Sequence, residues 1–410
     1  MPLTVLTNAR IVDGTAPEPG APTRVVVEND RIRDVSNTAA DSNGARVIDL
    51  GGRTLMPGLI DAHVHIVAIV ASLGLNATLP DSLVAARSIR LQREMLMRGF
   101  TTVRDVGGAD RGQAVAVEEG TVLGPRLVIS GKALSQTGGH CDFRGPYDAS
   151  PNRFAGRLGA LGRLCDGVPE VRRAAREEIK AGADFIKIMA NGGVASPTDP
   201  IHFLGFAREE IAAAVEEAEN AGTYVSAHLY TDAGIRRAVE CGVHSLEHCD
   251  LIRPDTARFA AERGAVAVPT LVTYDKLSEE GEALGIGTEA MVKIDGVRRA
   301  GLDSLGIMHE AGLPMAYGSD LLGEMHRHQS EEFVIRGRVL PPQAVIASAT
   351  GIAARLCRME GRIGAVAPGA FADLVVVDGD PLADLALLTG QGRHMPLIMK
   401  GGEIVKRAAW

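Results

Sequence analysis

The sequence predicts a (β/α)8 TIM barrel carrying a small β-sandwich built from both chain ends. Three observations carry this prediction. The middle of the chain alternates strand-like and helix-like stretches through eight strands, the two ends are strand-only, and polar residues gather at the C-terminal ends of the middle strands. The expected boundaries are 1–57 with 358–410 for the sandwich and 58–357 for the barrel. A doubly wound open sheet is the competing architecture. Eight units without a Gly-rich nucleotide fingerprint favour the barrel.

Residues 3–57 read as short strands at Leu3–Val12, Arg24–Val27, Arg31–Val35 and Arg46–Leu50. Glu28-Asn29-Asp30 separates the second from the third, and a polar turn between β-branched runs signals a hairpin. The other end repeats the style. Ala372–Asp378 is a β-branched strand stopped by Gly379-Asp380-Pro381, and Gly401-Gly402 is a two-residue turn between Leu397–Lys400 and Glu403–Arg407. The two ends are expected to pair into one sandwich.

The barrel strands are expected at Leu59–His65, Phe100–Asp105, Arg126–Ser130, Asp184–Met189, Tyr224–His228, His244–His248, Ala265–Thr270 and Pro314–Asp320. Helices such as Val171–Ala181 and Arg208–Asn220 lie between them. In the second helix Ile211, Val215 and Ala218 share a face. Glu209 and Glu210 sit in its first turn, and Gly222 follows its end.

Composition narrows the class. A length of 410 residues suits a barrel of about 250 residues plus a smaller domain. The net charge of −8, from 43 basic and 51 acidic residues without a basic block, argues against nucleic-acid partners. No stretch reaches membrane-spanning length without charges or glycines, so no membrane association is expected. Residues Met1–Arg10 lack the basic start and apolar core of a signal peptide. Cys141, Cys165, Cys241, Cys249 and Cys357 are an odd, scattered set with no CxxC, which fits a reducing cytoplasm without disulfides. The apolar composition is compatible with a homo-oligomer.

Barrel enzymes place their chemistry at the C-terminal ends of strands. His63 and His65 end the first strand, Lys187 lies late in the fourth, and His228 ends the fifth; His248 ends the sixth and Asp320 the eighth. Residues i and i+2 of a strand share a face, so His63 and His65 stand about 6–7 Å apart and can grip one metal ion. A lone strand-end histidine is ordinarily structural. Such residues from five strands at one rim are hard to obtain by chance.

Alternation in Asp184–Met189 turns Lys187 inward with Phe185 and Met189, because Ile186 and Ile188 face the helices. Burial favours the neutral amine. A neutral amine can add carbon dioxide, and the resulting carbamate is an anionic bridge between two metals. With Asp320 and a bridging hydroxide it offsets most of the charge of two divalent ions. A protonated lysine would add to that charge. An ion-paired buried lysine is the plainer alternative.

Together His63-Val64-His65, Lys187, His228, His248 and Asp320 resemble the metal-site signature of the amidohydrolase superfamily. The phrases Pro57–His63, Gly99–Asp105, Thr137-Gly138-Gly139-His140, Ser245–His248 and Gly318-Ser319-Asp320 are similar to its imidazolonepropionase-related branch of metal-dependent dipeptidases, the Xaa-Pro dipeptidases or prolidases among them. Gly364–Leu374 matches the usual return to the small domain, so the resemblance spans essentially the whole chain.

The resemblance implies two divalent metal ions; histidine and carboxylate ligation suits zinc, with manganese and cobalt as the alternatives. His63, His65 and Asp320 would hold one, His228 and His248 the other, with carbamylated Lys187 and a hydroxide bridging them. It also implies hydrolysis of an amide by metal-activated water, with Asp320 as general base and then acid. His140 would donate to the developing oxyanion, and Tyr230, in line with His228, would contact substrate. The expected substrates are small molecules: dipeptides with Xaa-Pro or Xaa-hydrophobic sequences. The alternatives are N-acyl amino acids including ochratoxin-like amides, a cyclic amide or imidazolone, and a non-catalytic relative. Lys187 weighs against the imidazolone and deaminase readings, whose members typically use one metal, and the complete ligand set weighs against the last.

Other expectations are secondary. The long Cys141–Val168 loop has the length of a lid, and one of Arg144, Arg153, Arg157 and Arg163 is a candidate clamp for a carboxylate. Asn191-Gly192-Gly193 would allow a ligand close to the backbone. His244 lies about 13 Å below His248 on the same face, where a core role is expected. His202, His326 and His328 are placed on loops near the rim, and Glu247 is expected to face away from His248 and to serve packing or to support the ligands from behind.

Overall fold

The computed structural model describes residues 3–37, 44–152, 154–194, 196, 198–285 and 287–408. Arg153 and Trp410 lie outside the described residues. The strands, in chain order, begin with β1 (Leu3–Ile11), β2 (Thr23–Glu28), β3 (Arg31–Ser36), β4 (Arg46–Asp49), β5 (Thr54–Pro57) and β6 (Leu59–Val64). There follow β7 (Phe100–Asp105), β8 (Arg126–Ile129), β9 (Ala133–Ser135), β10 (Gly162–Leu164), β11 (Ile186–Met189) and β12 (Val225–Thr231). The last are β13 (Ser245–Leu251), β14 (Val266–Val268), β15 (Leu374–Val377), β16 (Leu397–Lys400) and β17 (Glu403–Arg407).

The two chain ends form one eight-stranded sheet, ordered β17-β16-β15-β5-β1-β2-β3 with β4 on β1. It is continuous through β1, whose first half pairs with β2 and β4 and whose last residues, Arg10 and Ile11, pair with β5. Asn8, left-handed at φ 54°, marks the change of partner. The β2–β3 turn is Asn29-Asp30 as expected, and Gly401 and Gly402 take the positive φ that a tight hairpin needs. Leu6, Val25, Ile32 and Ile48 from one half share a core with Leu55, Leu374, Val376 and Met399 from the other. Each such side chain contributes about 1.5–3 kcal/mol when fully buried, which makes this small core a substantial tie between the ends.

The middle of the chain is α/β with parallel sheets, β6-β7-β8 and β10-β9-β11-β12-β13-β14. Hydrogen bonds join their edges. Asp184, just before β11, donates its N–H to the Ile129 carbonyl of β8 at 2.7 Å and accepts from the Ile129 N–H. On the other side, segment 314–320 bonds β14 through Pro314 and Ala316, and β6 through Tyr317 and Asp320.

Two expectations are corrected here. The eighth strand is reduced to an isolated bridge between Ala267 and Met315. Its second half cannot run straight: Asp320 is left-handed at φ 51°, and Gly318 passes so close to β6 that a Cβ would lie 2.9 Å from His63 Cβ. The loop after β8 contributes two short strands that alternation did not reveal, β9 and β10, of which β9 touches β11 through Leu134 and Ile188.

The helix expected at Val171–Ala181 runs Gly167–Lys180 and buries Val171, Ala174 and Ala175. The helix Arg208–Asn220 is as expected and buries Ile211, Ala214, Val215 and Ala218. Among the described residues no helix is long and apolar enough to cross a membrane. Gly58 makes the step from β5 to β6. A Cβ there would sit 1.9 Å from Thr101 Oγ1, so this turn against β7 admits no side chain.

Candidate active site

His63 and His65 stand at the end of β6 with their rings edge to face at 5.5 Å. His63 Nδ1 donates to Glu247 Oε2 at 2.7 Å, and His65 Nδ1 donates to the Gly107 carbonyl at 2.9 Å. Neither partner can donate, so both histidines carry their proton on Nδ1 and turn Nε2 toward Asp320. Each Nε2 lies 3.3 Å from Asp320 Oδ1, and the three ligand atoms fall within 4.8 Å of one another. Acceptor atoms that converge in this way suit a cation.

A second group stands beside the first, with the His63 and His248 rings 4.9 Å apart. His228 Nε2 donates to the Gly192 carbonyl at 3.3 Å, which leaves Nδ1 as a lone pair. That atom faces His248 Nε2 at 2.9 Å, while His248 Nδ1 is engaged by Thr270 and Tyr274. Lys187 shares the pocket, is 1% exposed, and its Nζ has no hydrogen-bond partner among the described residues. Burial brings its ammonium down from 10.5 to about 8, against the pull of Glu247. Facing ring nitrogens beside a buried, unpartnered amine fit a second cation and an anionic modification of the amine.

Electrostatics keep His228, His248 and Asp320 in ligating form, whereas His65, despite its burial, is raised above the ordinary histidine value by Asp320. Burial holds His228 and His248 well below the ordinary histidine value, and neighbouring histidines add to the effect, so both are neutral. Burial opposes an ionised Asp320, yet His63, His65 and His248 together hold its carboxyl well below the usual range.

Glu247 corrects an expectation. Strand alternation would turn it away from His248, but His248 and Cys249 are left-handed at φ 70° and 65°, so adjacent side chains both reach the site. Such backbone costs about 1–3 kcal/mol for each residue, and it persists where packing over-determines it. Glu247 is fully buried with Oε1 against Arg104 Nη2 at 2.7 Å, and the Ser226 and Ser245 hydroxyls donate to that same oxygen, leaving Oε2 to His63. Burial alone would raise its carboxyl; Arg104, with Lys187 and His63, holds it well below the usual range. Arg104 was missed as a site residue. Its signal was an arginine continuing the β-branched strand run Thr101-Thr102-Val103, one residue before the strand-end Asp105.

His140 stacks on His228 at 4.1 Å and 19°, and its Nδ1 meets Ser196 Oγ at 2.8 Å. Tyr230 is 1% exposed, lies 5.3 Å from the His248 ring and shares a 2.9 Å hydrogen bond with Tyr274. The pocket that collects the four histidines His63, His65, His228 and His248 with Lys187, Asp320, His140 and Tyr230 holds about 600 Å³ of space, counting its mouth. Its remaining wall is apolar, with Leu73, Phe143, Leu161, Val194, Leu277 and Leu322.

The expected carboxylate clamp is not found among the described arginines. Arg144 pairs with Asp142, Arg157 with Asp81, and Arg163 with Glu177 and Glu178, so each is spent on holding the loop. Gly192 and Gly193 admit the chain itself rather than a ligand: a Cβ on Gly192 would strike the Pro200 carbonyl and one on Gly193 the His140 ring. His326 and His328 sit on a 3-10 helix, Gly323–Glu331, with His326 against the Ala68 carbonyl and His328 between Glu280 and Glu331. His202 is exposed beside Phe203, and His244 is half-buried against Tyr224. None of these four lines the pocket.

A parallel α/β scaffold with histidines, a lysine and an aspartate converging beyond its strand ends defines a hydrolase of the metal-dependent kind. The amidohydrolase family profile matches residues 54–405, and the chain belongs to that family. Ochratoxinase of Aspergillus niger is 34% identical over 369 residues, which cover 86% of this chain and 75% of that protein. The crystal structure of an amidohydrolase is 52% identical with a TM-score of 0.97, covering 99% of each chain. The crystal structure of a prolidase complexed with N-methylphosphonate-L-proline is 48% identical with a TM-score of 0.97, covering 99% of this chain and all of that one. The chain is therefore a hydrolase of amide bonds in small molecules, of the prolidase-like branch that its motifs resemble.

Proposed function

We propose that the protein is a dinuclear metal-dependent dipeptidase acting on Xaa-Pro or Xaa-hydrophobic peptide bonds. In this reading residues 58–357 form a closed (β/α)8 barrel, and residues 1–57 and 358–410 form the small β-sandwich. The hydrogen bonds from Asp184 to β8 and from segment 314–320 to both β14 and β6 support closure. One observation carries the function: the buried, unpartnered Lys187 amine stands in one pocket with acceptor atoms from His63, His65, His228, His248 and Asp320. The likeness to a prolidase supports the choice of substrate.

His63, His65 and Asp320 would hold one ion and His228 and His248 the other, with a carbamate on Lys187 between them. When bound, the ions supply an activated water at neutral pH and polarise the scissile carbonyl. Asp320, ionised and beside both Nε2 atoms, would accept a proton from the attacking water and pass it to the leaving nitrogen. His140, stacked on His228, turns Nε2 toward the carbonyl oxygen. Tyr230 presents its phenol to the substrate from the His248 side. The apolar wall excludes water and suits a hydrophobic residue.

The apolar wall and the likeness to ochratoxinase also favour a second reading, an amidase of N-acyl amino acids. A library of dipeptides and N-acyl amino acids separates the two by relative kcat/KM. Elemental analysis tests the metals: less than about one bound ion per chain after zinc supplementation would remove the dinuclear reading. Replacing Lys187 with Ala should abolish turnover, and small carboxylic acids should partly restore it.

A further inference from the structure

Behind His140 lies a buried chain of polar groups. His140 Nδ1 is 2.8 Å from Ser196 Oγ and 3.4 Å from Asp199 Oδ2, and Ser196 also contacts Asp199 Oδ1. Asp199 is 1% exposed and Ser196 4%. A carboxylate only accepts, so the Ser196 hydroxyl proton goes to Asp199 and its oxygen accepts from His140 Nδ1–H. Direction runs one way along the chain, from imidazole through hydroxyl to carboxylate.

The backbone is shaped to hold this arrangement. A Cβ on Gly193 would lie 1.8 Å from His140 Cε1, so the glycine makes room for the ring. The Gly193 N–H donates to the Asp199 carbonyl at 3.2 Å, and Thr198 Oγ1 donates to the Gly138 carbonyl at 3.3 Å. The first bond closes the segment after β11 on itself, and the second ties it to the Thr137–His140 turn.

We propose that Asp199 is a positioning residue that acts on His140 through Ser196. It fixes the proton on Nδ1 and the plane of the ring, so that Nε2 is the atom presented to the scissile carbonyl. The proposal rests on the substrate-facing role given to His140 above. A carboxylate behind a histidine is worth about 10–100-fold where such partners orient a ligand, and a similar factor applies here.

A double-mutant cycle tests it with the metal-loaded enzyme and its best library substrate. His140→Asn should lower kcat by about 100-fold or more, as loss of an oxyanion contact does. Asp199→Asn should lower kcat by about 10–100-fold with KM within about threefold and unchanged metal content. In the His140→Asn background Asp199→Asn should add less than about twofold, because interacting sites are not additive. Ser196→Ala should match Asp199→Asn, and Ser196→Thr, which restores the hydroxyl, should recover most of the rate lost in Ser196→Ala. A second readout needs no turnover: 15N NMR of selectively labelled histidine should show His140 as the Nδ1–H tautomer in wild type and a mixture in Asp199→Asn. Equal losses from Asp199→Asn in both backgrounds, or an unchanged tautomer, would overturn the proposal. An inert His140→Asn would instead remove the role of His140 itself, and the positioning role with it.

Discussion

Replacing Lys187 with Met should stabilise the metal-free protein while destroying the metal-loaded enzyme. The amine is fully buried with no hydrogen-bond partner among the described residues, and burial brings it from 10.5 to about 8. At 1.36 kcal/mol for each tenfold change in proton affinity, the ionised form costs about 3 kcal/mol in the folded state. The sign follows from linkage. The folded state binds this proton less tightly than the unfolded chain, so the cost is fully present below the folded value and is relieved as pH rises from about 8 toward 10.5. Methionine has a similar length and no charge. Urea unfolding of both metal-stripped proteins should therefore favour Lys187→Met by about 3 kcal/mol at neutral pH, and by less than half of that near pH ~9.5. Any gain from methionine packing is independent of pH, so the shrinking difference is the diagnostic part. A stability difference that is flat between those two pH values would refute the reasoning.

Arg104→Met leaves the Glu247 carboxylate buried beside His63 without its cation, and urea unfolding should show a loss of about 3–5 kcal/mol. Adding Glu247→Gln should recover part of that loss. Asn76→Leu removes a buried amide that accepts from Ile69 and Val70 N–H and donates to Val67 and Gly159 carbonyls, and should cost about 2–4 kcal/mol by the same assay. Gly58→Ala drives a methyl into Thr101 and should cost at least about 1–3 kcal/mol, partly recovered by Thr101→Ala. Chelation should lower the thermal midpoint, and zinc should restore it in a concentration-dependent way, as binding to the native state requires.

Local rules carried much of the architecture. β-branched runs, Asn29-Asp30 and Gly401-Gly402 specify hairpins within a few residues of chain, and the sequence was legible there. The strands bearing His63, Lys187, His228 and His248 were legible because an apolar run ending in a polar residue is a local pattern. What was hidden depends on neighbours distant in sequence. The eighth strand lost its regularity to the close passage of Gly318 over His63, and Glu247 joined the site because His248 is left-handed. The partner of Arg104 is Glu247 on another strand, and Arg157 and Arg163 found Asp81 and Glu177, acids that no spacing rule pairs with them. Asn191 likewise holds Tyr230 and Thr231 through its side chain, a task that its place beside two glycines did not disclose.

The sheet shared by the two chain ends sets a timetable for the site. Pro57 of β5 pairs with Leu374 of β15, and only Gly58 separates β5 from the strand that carries His63 and His65. Synthesis proceeds from the N-terminus at about 5–20 residues per second, so β5 waits some tens of seconds for its partner. Until β15 emerges, the first pair of ligands hangs from a strand with a bare edge at its root. The end of β6 proposed to bind metal therefore gains its support among the last events of folding, and a chain stopped before residue 374 would hold every proposed ligand without the brace beneath the first two.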